Sequence, residues 1–454
     1  MLGFLIGLAV TLAVVWLVIK KYQPHTVLLL AGLLLLGLTA ILFPHTSILF
    51  PKAKSTGWAG FDVVDFVTHS LSTRTAELGM IIMSAGGFAK YMDTIGATDA
   101  MVALCIRPLK LLRAPYVVLA LGYAVGQIFH IFIPSAAGLA MLLLVTFYPT
   151  LVRLGVSPAA AAAMIGTTGV MDLGPASAGT NLAARTAGLD AATYFAHYQL
   201  PTAAIVMVVI SALTYVTARY FDRKSYFVAK QNESENDAPA LKVPVFYALL
   251  PMVPLTLILV FSPLLVRGVR LDVVTAMMIG ALLALLCELA RTRDARAAMK
   301  GFTAFFAGMG KMFSDIVSLI VCTETFAAGL QAIGMVGFLI VQAQNGGFGF
   351  YAMTVVMCAI VTATAVITGS GNAAFFSFAS LAPKIASGFG AAPVTMLLPM
   401  QLCAGIARSA SPVAGVIIAV SGTGQCSPIE IVRRTAIPVA GGLLTVLLCT
   451  AFVG

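Results

Sequence analysis

Four short polar stretches interrupt the apolar runs of this sequence, and their residues could bind a small anion. Gly, Ser, Thr and Asn let a helix unwind and supply hydroxyl and amide ligands. A helix that begins after such a break has partial positive charge and unbonded N–H groups at its start, which attract carboxylates. Unwound carbonyls and hydroxyls could also hold a cation such as Na⁺. The stretches are IPSAAGL (133–139), DLGPASAGTN (172–181), ITGSGNA (367–373) and ARSASPVAG (407–415).

These stretches supply the candidate site residues. One Gly-Ser-Gly triplet alone would more often be a packing site for close helix approach, but four breaks in one chain favour binding. Asp172 and Thr180 are the candidates for coupling to a cation or a proton. The candidates for substrate binding are Ser135, Ala136, Gly138, Ser177, Asn181, Thr368, Gly369, Ser370, Gly371, Asn372, Arg408, Ser409 and Ser411.

Arg408 is the most informative of these residues because a guanidinium stays charged at membrane depth, where charge is expensive and usually functional. Its planar fork of donors pairs well with a carboxylate. The alternatives are that Arg408 extends to a lipid headgroup or pairs with an acid such as Asp172. Asp172 in turn could bind a cation, carry a proton or neutralise Arg408.

Other ionisable residues within the apolar runs carry weaker expectations. Glu77 and Asp315 are placed near helix starts, where capping is the simpler interpretation. His130, beside the first break, is expected to be a hydrogen-bonded core histidine more often than a proton relay. No role beyond a structural ion pair is assigned to Lys90, Lys311 and Glu324.

The elements that hold the breaks must be membrane helices. Of the 454 residues, 60% are hydrophobic and only 10% are charged, with a mean hydropathy of +1.00. A soluble domain is about half apolar and about a quarter charged, so this much apolar surface requires lipid. The net charge of +10 comes from basic residues in short loops, where they set topology and do not indicate nucleic-acid binding.

The sequence contains no constellation typical of an enzyme or a cofactor site. The His and Cys residues are scattered without metal-ligand spacing. A Walker-type phosphate loop is also missing from the sequence. We therefore expect no metal and no cofactor other than Na⁺ or H⁺ as a coupling ion, and transport driven by gradients rather than by ATP.

One pattern of landmarks occurs twice along the chain. Phe88 and Ile95 recur as Phe326 and Ile333, both shifted by 238 positions. A near-constant shift over more than a hundred residues indicates two copies of one membrane fold, as in many transporters. Three prolines recur with similar shifts of 234, 237 and 237 positions: Pro149, Pro175 and Pro201 recur as Pro383, Pro412 and Pro438.

The predicted fold is an all-α polytopic membrane protein with two repeats of five spans and one re-entrant hairpin each. An odd number of spans per repeat requires the second copy to be inverted. Repeat 1 covers residues 1–218 and repeat 2 covers 244–454, joined by a polar, partly disordered cytoplasmic linker at 219–243. The spans are 2–19, 25–43, 77–97, 159–187 and 195–218, then 244–263, 272–290, 305–333, 393–424 and 434–453, with hairpins at 116–148 and 350–382 and broken helices at 159–187 and 393–424.

Loop charge sets the orientation. With the N-terminus outside, most Lys and Arg residues of the loops fall on the cytoplasmic side, as the positive-inside rule requires. Both termini are then periplasmic. The first apolar run, 1–19, is expected to be a retained helix because it lacks a basic start and a cleavage site.

Four stretches resemble the DcuC-type four-carbon-dicarboxylate carriers, which are related to the divalent anion:sodium symporters. They are STGWAGFDVVDFV (55–67), ELGMIIMSAGGFAKYM (77–92), ITGSGNAAFFSF (367–378) and ARSASPVAGVIIAVSG (407–422). The resemblance implies carriage of succinate, fumarate or malate across the bacterial inner membrane by a homodimer. It also implies an elevator in which the hairpins, 159–218 and 393–454 move against a scaffold formed by the first three helices of each repeat.

The expected function is therefore secondary active transport of small carboxylates, with four-carbon dicarboxylates foremost. Two alternatives remain open at this stage. One is a cation:proton antiporter of the same superfamily that uses Asp172 as its titrating group. The other is an anion channel, which would need no moving core.

Overall fold

The computed structural model describes residues 2–20, 22–51, 53–106, 108–112, 114–224, 243–261 and 271–453. Within these ranges every regular element is a helix. The first half contains α1 (Leu2–Ile19), α2 (Pro24–Leu42), α3 (Ala59–Arg74), α4 (Met80–Thr94), α5 (Ala97–Ile106), α6 (Pro115–Phe132), α7 (Ala136–Thr146), α8 (Tyr148–Arg153), α9 (Pro158–Gly166), α10 (Ala178–Thr186), α11 (Ala191–Thr193) and α12 (Leu200–Lys224).

The second half follows with a parallel order of elements. It contains α13 (Val253–Val260), α14 (Val273–Thr292), α15 (Ala295–Met312), α16 (Ser318–Ala332), α17 (Met335–Asn345), α18 (Phe350–Thr368), α19 (Gly371–Ala379), α20 (Ala382–Gly388), α21 (Val394–Ala407), α22 (Gly415–Thr423) and α23 (Pro428–Val453). Short 3₁₀ segments lie at Pro108–Leu111, Val245–Met252 and Arg408–Ala410, and π segments at Thr75–Gly79, Tyr194–Gln199 and Phe313–Val317.

Within the described ranges, eight helices are long and apolar enough to cross a bilayer. The protein is thus a multi-pass membrane protein, as its composition predicts. The eight candidate spans are Pro24–Leu42, Pro115–Phe132, Ala191–Lys224, Val273–Thr292, Ala295–Ala332, Phe350–Thr368, Val394–Thr423 and Pro428–Ala451.

All four predicted interruptions are present. The first separates α6 from α7, and the second separates α9 from α10. The third separates α18 from α19, and the fourth separates α21 from α22. The chain leaves the helix where Pro, Gly and Ser cluster, because Pro lacks an N–H and Gly and Ser favour non-helical backbone.

The positions of these helices recur along the chain. Helices α6, α7, α9 and α10 start at 115, 136, 158 and 178, and α18, α19, α21 and α22 start at 350, 371, 394 and 415. The differences are 350 − 115 = 235, 371 − 136 = 235, 394 − 158 = 236 and 415 − 178 = 237. The packing is also reciprocal, since α7 contacts α22 and α19 contacts α10. Each half therefore places its second hairpin helix against the broken helix of the other half.

The helices pack in two groups. In one group α2 runs along α16 and α4 runs along α15, with α14 against α4. In the other α12 runs along α23, α18 along α21, and α6 against α12. The four breaks belong to the second group.

Two predicted spans are parts of longer helices. Span 77–97 continues a helix that begins at Ala59, and span 305–333 continues one that begins at Ala295, each passing through a π segment. The turns that precede residues 77 and 305 contain polar residues, so the hydropathy of these turns is below that of a membrane span. Glu77 and Asp315 consequently lie inside these π segments and not at helix starts, so the capping interpretation is wrong.

The linker predicted at 219–243 also starts later than expected. Helix α12 continues to Lys224 because Asp222 is buried and pairs with Arg434 at 2.8 Å. Residues 225–242 lie outside the described residues, so disorder there stays a prediction. In span 244–263 the chain forms 3₁₀ turns over Val245–Met252 before α13, where Pro251 prevents a regular α-helix.

Candidate functional site

The first two breaks lie against each other and against α21. A Cβ placed on Gly174, in the second break, would lie 2.8 Å from the Cγ2 atom of Ile131 near the end of α6. A Cβ placed on Gly405, in α21, would lie 2.0 Å from the carbonyl oxygen of Val170. Only glycine permits this approach of α21 to the second break.

The third and fourth breaks are also in contact. Gly369, at the tip of the second hairpin, has a φ of +73°, and a Cβ there would lie 2.8 Å from the nitrogen of Ala414. Arg408, in the fourth break, donates a hydrogen bond from Nη2 to the carbonyl oxygen of Gly169 at 3.2 Å. The four breaks, which are far apart in sequence, therefore form one continuous cluster.

Three of the four helices that start at the breaks have a serine N-cap. Ser135 Oγ accepts a hydrogen bond from Gly138 N at 3.2 Å, and Ser370 Oγ accepts one from Ala373 N at 3.2 Å. Ser177 caps α10 in the same way. Helix α22 follows Ala414 and has no side-chain cap, so its first N–H groups remain available to a ligand.

The second break is held together by side-chain amides. Thr180 Oγ1, Gln199 Nε2 and Gln401 Nε2 donate to the carbonyl oxygen of Asp172 at 3.0, 3.2 and 3.2 Å. Asp172 has a φ of +50°, and Tyr194 Oη orients Gln401 by donating to its Oε1 at 2.7 Å. Unwound backbone at membrane depth must find such partners because lipid offers none.

The same break uses two of the predicted ligands for its own support. Asn181 Nδ2 donates to the carbonyl oxygens of Pro175 and Ser177, both at 2.7 Å. Gln127 Nε2 donates to the carbonyl oxygen of Thr167 at 3.0 Å. In this conformation Asn181 and Ser177 are buried and bonded within the break.

Arg408 is half-buried and has spare donors. Of its five N–H groups, only one hydrogen bond is formed to a described residue, that to Gly169. Among the described residues, no carboxylate lies within 4.0 Å of its guanidinium. Arg408 and Asp172 therefore form no direct ion pair in this conformation, although the charge of Asp172 acts on the guanidinium. Asp172 instead accepts a hydrogen bond from Gly179 N at 3.0 Å.

The remaining predicted residues divide by exposure. Asn372 is partly exposed, and its side chain makes no hydrogen bond within the described chain. Ser411 Oγ is buried without a partner, whereas Ser409 Oγ donates to Ile406 O at 2.7 Å. The partly exposed predicted residues are Ser135, Ala136, Gly138, Asp172, Thr368, Gly369, Ser370, Asn372 and Arg408, and the buried ones are Ser177, Thr180, Asn181, Gly371, Ser409 and Ser411.

A cavity of about 860 Å³ lies between the two helix groups. Its wall includes Leu182 of α10 and Phe376 of α19, each within the first two turns after a break, but no residue of the breaks themselves. Glu324 lines it and accepts hydrogen bonds from Arg74 Nε at 2.8 Å and Ser70 Oγ at 2.7 Å. The expected structural pairing of Glu324 is thus confirmed.

Sequence reasoning missed the three supporting glutamines. Gln127, Gln199 and Gln401 are between 0 and 2% exposed and all bond to the backbone of the second break or its flanks. The available signal was a single amide residue within a long apolar run, which at membrane depth needs an internal partner.

Comparison with known proteins gives a consistent family. The family model for DcuC, described as C4-dicarboxylate anaerobic carrier, matches residues 2–453. The probable anaerobic C4-dicarboxylate transporter DcuC of Vibrio cholerae is 35% identical over 99% of this chain and 97% of its own length. The anaerobic C4-dicarboxylate transporter DcuC of Escherichia coli K12 is 34% identical over 98% of this chain and 95% of its own.

Solved structures share the fold. The YdaH transporter of Alcanivorax borkumensis superposes with a TM-score of 0.63 at 14% identity, covering 95% of this chain and 99% of its own. MtrF of Neisseria gonorrhoeae, described among antimetabolite efflux pumps, gives 0.58 at 13% identity, covering 94% and 95%. The full-length match to the family model and the relatives above 30% identity decide the assignment: this chain belongs to the DcuC family of C4-dicarboxylate carriers, which are transporters and not enzymes.

Proposed function

We propose that this protein is a secondary active transporter that moves four-carbon dicarboxylates such as succinate, fumarate and malate across the bacterial inner membrane. The observation that carries the proposal is Arg408, a half-buried guanidinium among four helix breaks with spare donors and no acid within 4.0 Å among the described residues. Such a group offers charge-assisted hydrogen bonds to an incoming carboxylate.

The two carboxylates of the substrate are assigned to two places. Arg408 and the uncapped start of α22 hold one carboxylate. The tip of the second hairpin, with Ser370 and the free amide of Asn372 at the start of α19, holds the other. The first tip, at Ser135, closes the site from the opposite repeat. In this arrangement the partly exposed residues contact the substrate, while the buried residues form hydrogen bonds with the unwound backbone of the breaks.

Access is proposed through the cavity between the helix groups. Its wall includes Arg74 and Lys384, which loop charge assigns to the periplasmic side. The group that contains α6, α7, α9, α10, α12 and their counterparts would move as an elevator against the group that contains α2, α4, α15 and α16. Inverted orientation of the two repeats and a homodimer formed through the scaffold belong to the same proposal.

The coupling ion is proposed to bind at the second break. Asp172 has a partly exposed carboxylate, and Thr180 lies one helical turn into α10 with its hydroxyl on the carbonyl of Asp172. An acid and converging carbonyl and hydroxyl oxygens suit either Na⁺ or H⁺.

Purified protein in proteoliposomes tests the function. Labelled succinate or fumarate should accumulate and should exchange with unlabelled dicarboxylate, whereas butyrate, which has one carboxylate, should compete poorly. Proton flux that is driven by Na⁺ and independent of dicarboxylate would instead identify a cation:proton antiporter. Currents far above carrier turnover would identify a channel. Either result would reject the proposal.

A further inference from the structure

Helix α6 carries a row of polar side chains on one face. Tyr116, Tyr123, Gln127 and His130 are spaced by seven, four and three residues, which places them on the same side of an α-helix. At 1.5 Å per residue the row is about 21 Å long. It therefore extends through most of a bilayer core.

Three atoms of this row are buried and make no hydrogen bond within 3.5 Å, although the Tyr123 hydroxyl and the Gln127 amide are close enough to interact. The three atoms are Tyr123 Oη, Gln127 Oε1 and His130 Nδ1, and their side chains are 0, 0 and 2% exposed. Buried polar atoms are almost always bonded, and buried water is the usual partner where protein offers none. The three atoms along one helix face therefore have hydrogen-bonding capacity that buried water can satisfy.

One end of the row lies at the candidate site. A Cβ on Gly169 would lie 2.4 Å from His130 Cδ2, and Gly169 accepts the hydrogen bond from Arg408. The charged groups that influence His130 are Asp172 and Arg408. His130 thus connects the row to the acid proposed for ion coupling.

The other end of the row lies at a buried acid. Tyr116 Oη donates to Asp222 Oδ2 at 3.2 Å, and the charges around Tyr116 are Asp222, Arg219 and Arg434. Arg434 also lies 3.6 Å from Glu430, whose side chain is 47% exposed. Loop charge assigns this end to the cytoplasm, so the row leads from the site towards cytoplasmic water.

The gap between Tyr116 and Tyr123 is flanked by α12. This helix lies antiparallel to α6, because Gln199, immediately before its start, supports the second break and Asp222, near its end, meets Tyr116. Along it lie three further buried hydroxyls without partners. They belong to Ser211, Thr214 and Thr217.

We propose that this row is a proton path, in which water between the side chains carries H⁺ from Asp172 and His130 to Asp222 during dicarboxylate transport. The proposal deepens the proposed function and rests on it, since it names H⁺ as the coupling ion. Each transfer forms one O–H or N–H bond and breaks one, so one positive charge moves and no electrons are exchanged.

Tyr123→Phe tests the path because it removes only the unbonded hydroxyl and keeps the packed ring. The matched control is Tyr91→Phe, in α4, since Tyr91 Oη is likewise buried without a partner but lies in the other helix group. In proteoliposomes, two quantities are measured: succinate uptake driven by a pH gradient, and succinate exchange with no gradient.

Tyr123→Phe should lower gradient-driven uptake by about tenfold, the change in rate that corresponds to losing about one hydrogen bond, and should keep exchange near that of Tyr91→Phe. Equal gradient-driven uptake in both variants would overturn the path. A parallel loss of uptake and exchange in Tyr123→Phe would also overturn it, since the residue would then be structural.

Wild-type protein separates the two proposals. Dicarboxylate exchange that is unaffected by a pH gradient would reject the path and leave the proposed function standing. Proton flux without any dicarboxylate transport, lost in Tyr123→Phe, would reject the proposed function and leave the path.

Discussion

The guanidinium of Arg408 and the carbonyl oxygen of Gly169 are joined by a hydrogen bond of 3.2 Å, although the two residues are 239 positions apart. Each lies in a break of a different half of the chain. The bond orients the arginine without neutralising it, because a carbonyl is an acceptor with no net charge. The charge therefore stays available for an anionic ligand.

Arg408→Ala should lower dicarboxylate uptake. A hydrogen bond to a charged group contributes about 1.5–3 kcal/mol, which corresponds to a loss of about tenfold to a hundredfold in substrate affinity. Arg408→Lys should recover only part of the substrate affinity that Arg408→Ala loses, because an ammonium lacks the planar fork of donors. Uptake of labelled succinate over a concentration series measures the change.

The control for Arg408 is Arg296→Ala, an exposed arginine at the start of α15. It removes the same charge far from the breaks. If Arg408→Ala transports as well as this control, the assigned carboxylate contact is wrong.

Asn372→Asp should repel the substrate. Asn372 is partly exposed in the first turn of α19, so an aspartate there would place negative charge beside an anionic ligand. We expect a loss of about fivefold or more in apparent affinity, since like charges about 4 Å apart disfavour each other by about 1 kcal/mol or more. Competition by unlabelled fumarate measures it.

Asn345→Asp, at the exposed end of α17, makes the same chemical change away from the breaks and should leave affinity as it was. An equal response of the two variants would remove Asn372 from the proposed site.

Gly405→Ala should disrupt the contact between α21 and the second break. The added Cβ would lie 2.0 Å from the carbonyl oxygen of Val170, and overpacking of this kind costs about 1–3 kcal/mol. Thermal unfolding in detergent should show a lower midpoint, together with reduced uptake.

Gly422→Ala is the comparison for Gly405, since it lies in α22 with nothing within 4 Å of the added atom. Its unfolding midpoint should equal or slightly exceed that of the wild type, because Ala favours helix more than Gly does. Equal midpoints for the two variants would mean that the approach of Gly405 to the Val170 carbonyl oxygen does not require glycine.

Arg434→Met should destabilise the protein by about 3–5 kcal/mol, because it removes the buried guanidinium that forms an ion pair with the carboxylate of Asp222. Asp222 is 2% exposed and bonds Arg434 Nη1 at 2.8 Å and Ser157 Oγ at 2.6 Å. Thermal unfolding measures the change, and the double variant with Asp222→Asn should recover part of the loss. The exposed neighbour Arg433, changed to Met, is the control, and a similar midpoint for both single variants would contradict the prediction.

Much of the fold was predictable because lipid limits what a chain can do. An apolar run of membrane length must be helical, and a cluster such as Ser370 and Gly371 inside it must interrupt the helix. The breaks therefore follow from local composition. By contrast, the helix Ala59–Arg74 was not predicted. Its polar residues lower its hydropathy, and a hydropathy value does not include the neighbouring residues that bond them.

The sequence alone was enough to predict a membrane protein of many helices, with four interruptions and one arginine among them, because these features depend on local chemistry. The tertiary structure decided which polar side chains form hydrogen bonds within the protein and which remain available to a ligand. Asn181 and Ser177 are bonded within their break, while Arg408 and Asn372 keep free donors. That division depends on which distant backbone atoms come within hydrogen-bonding distance, and only the packing of the two halves sets those distances.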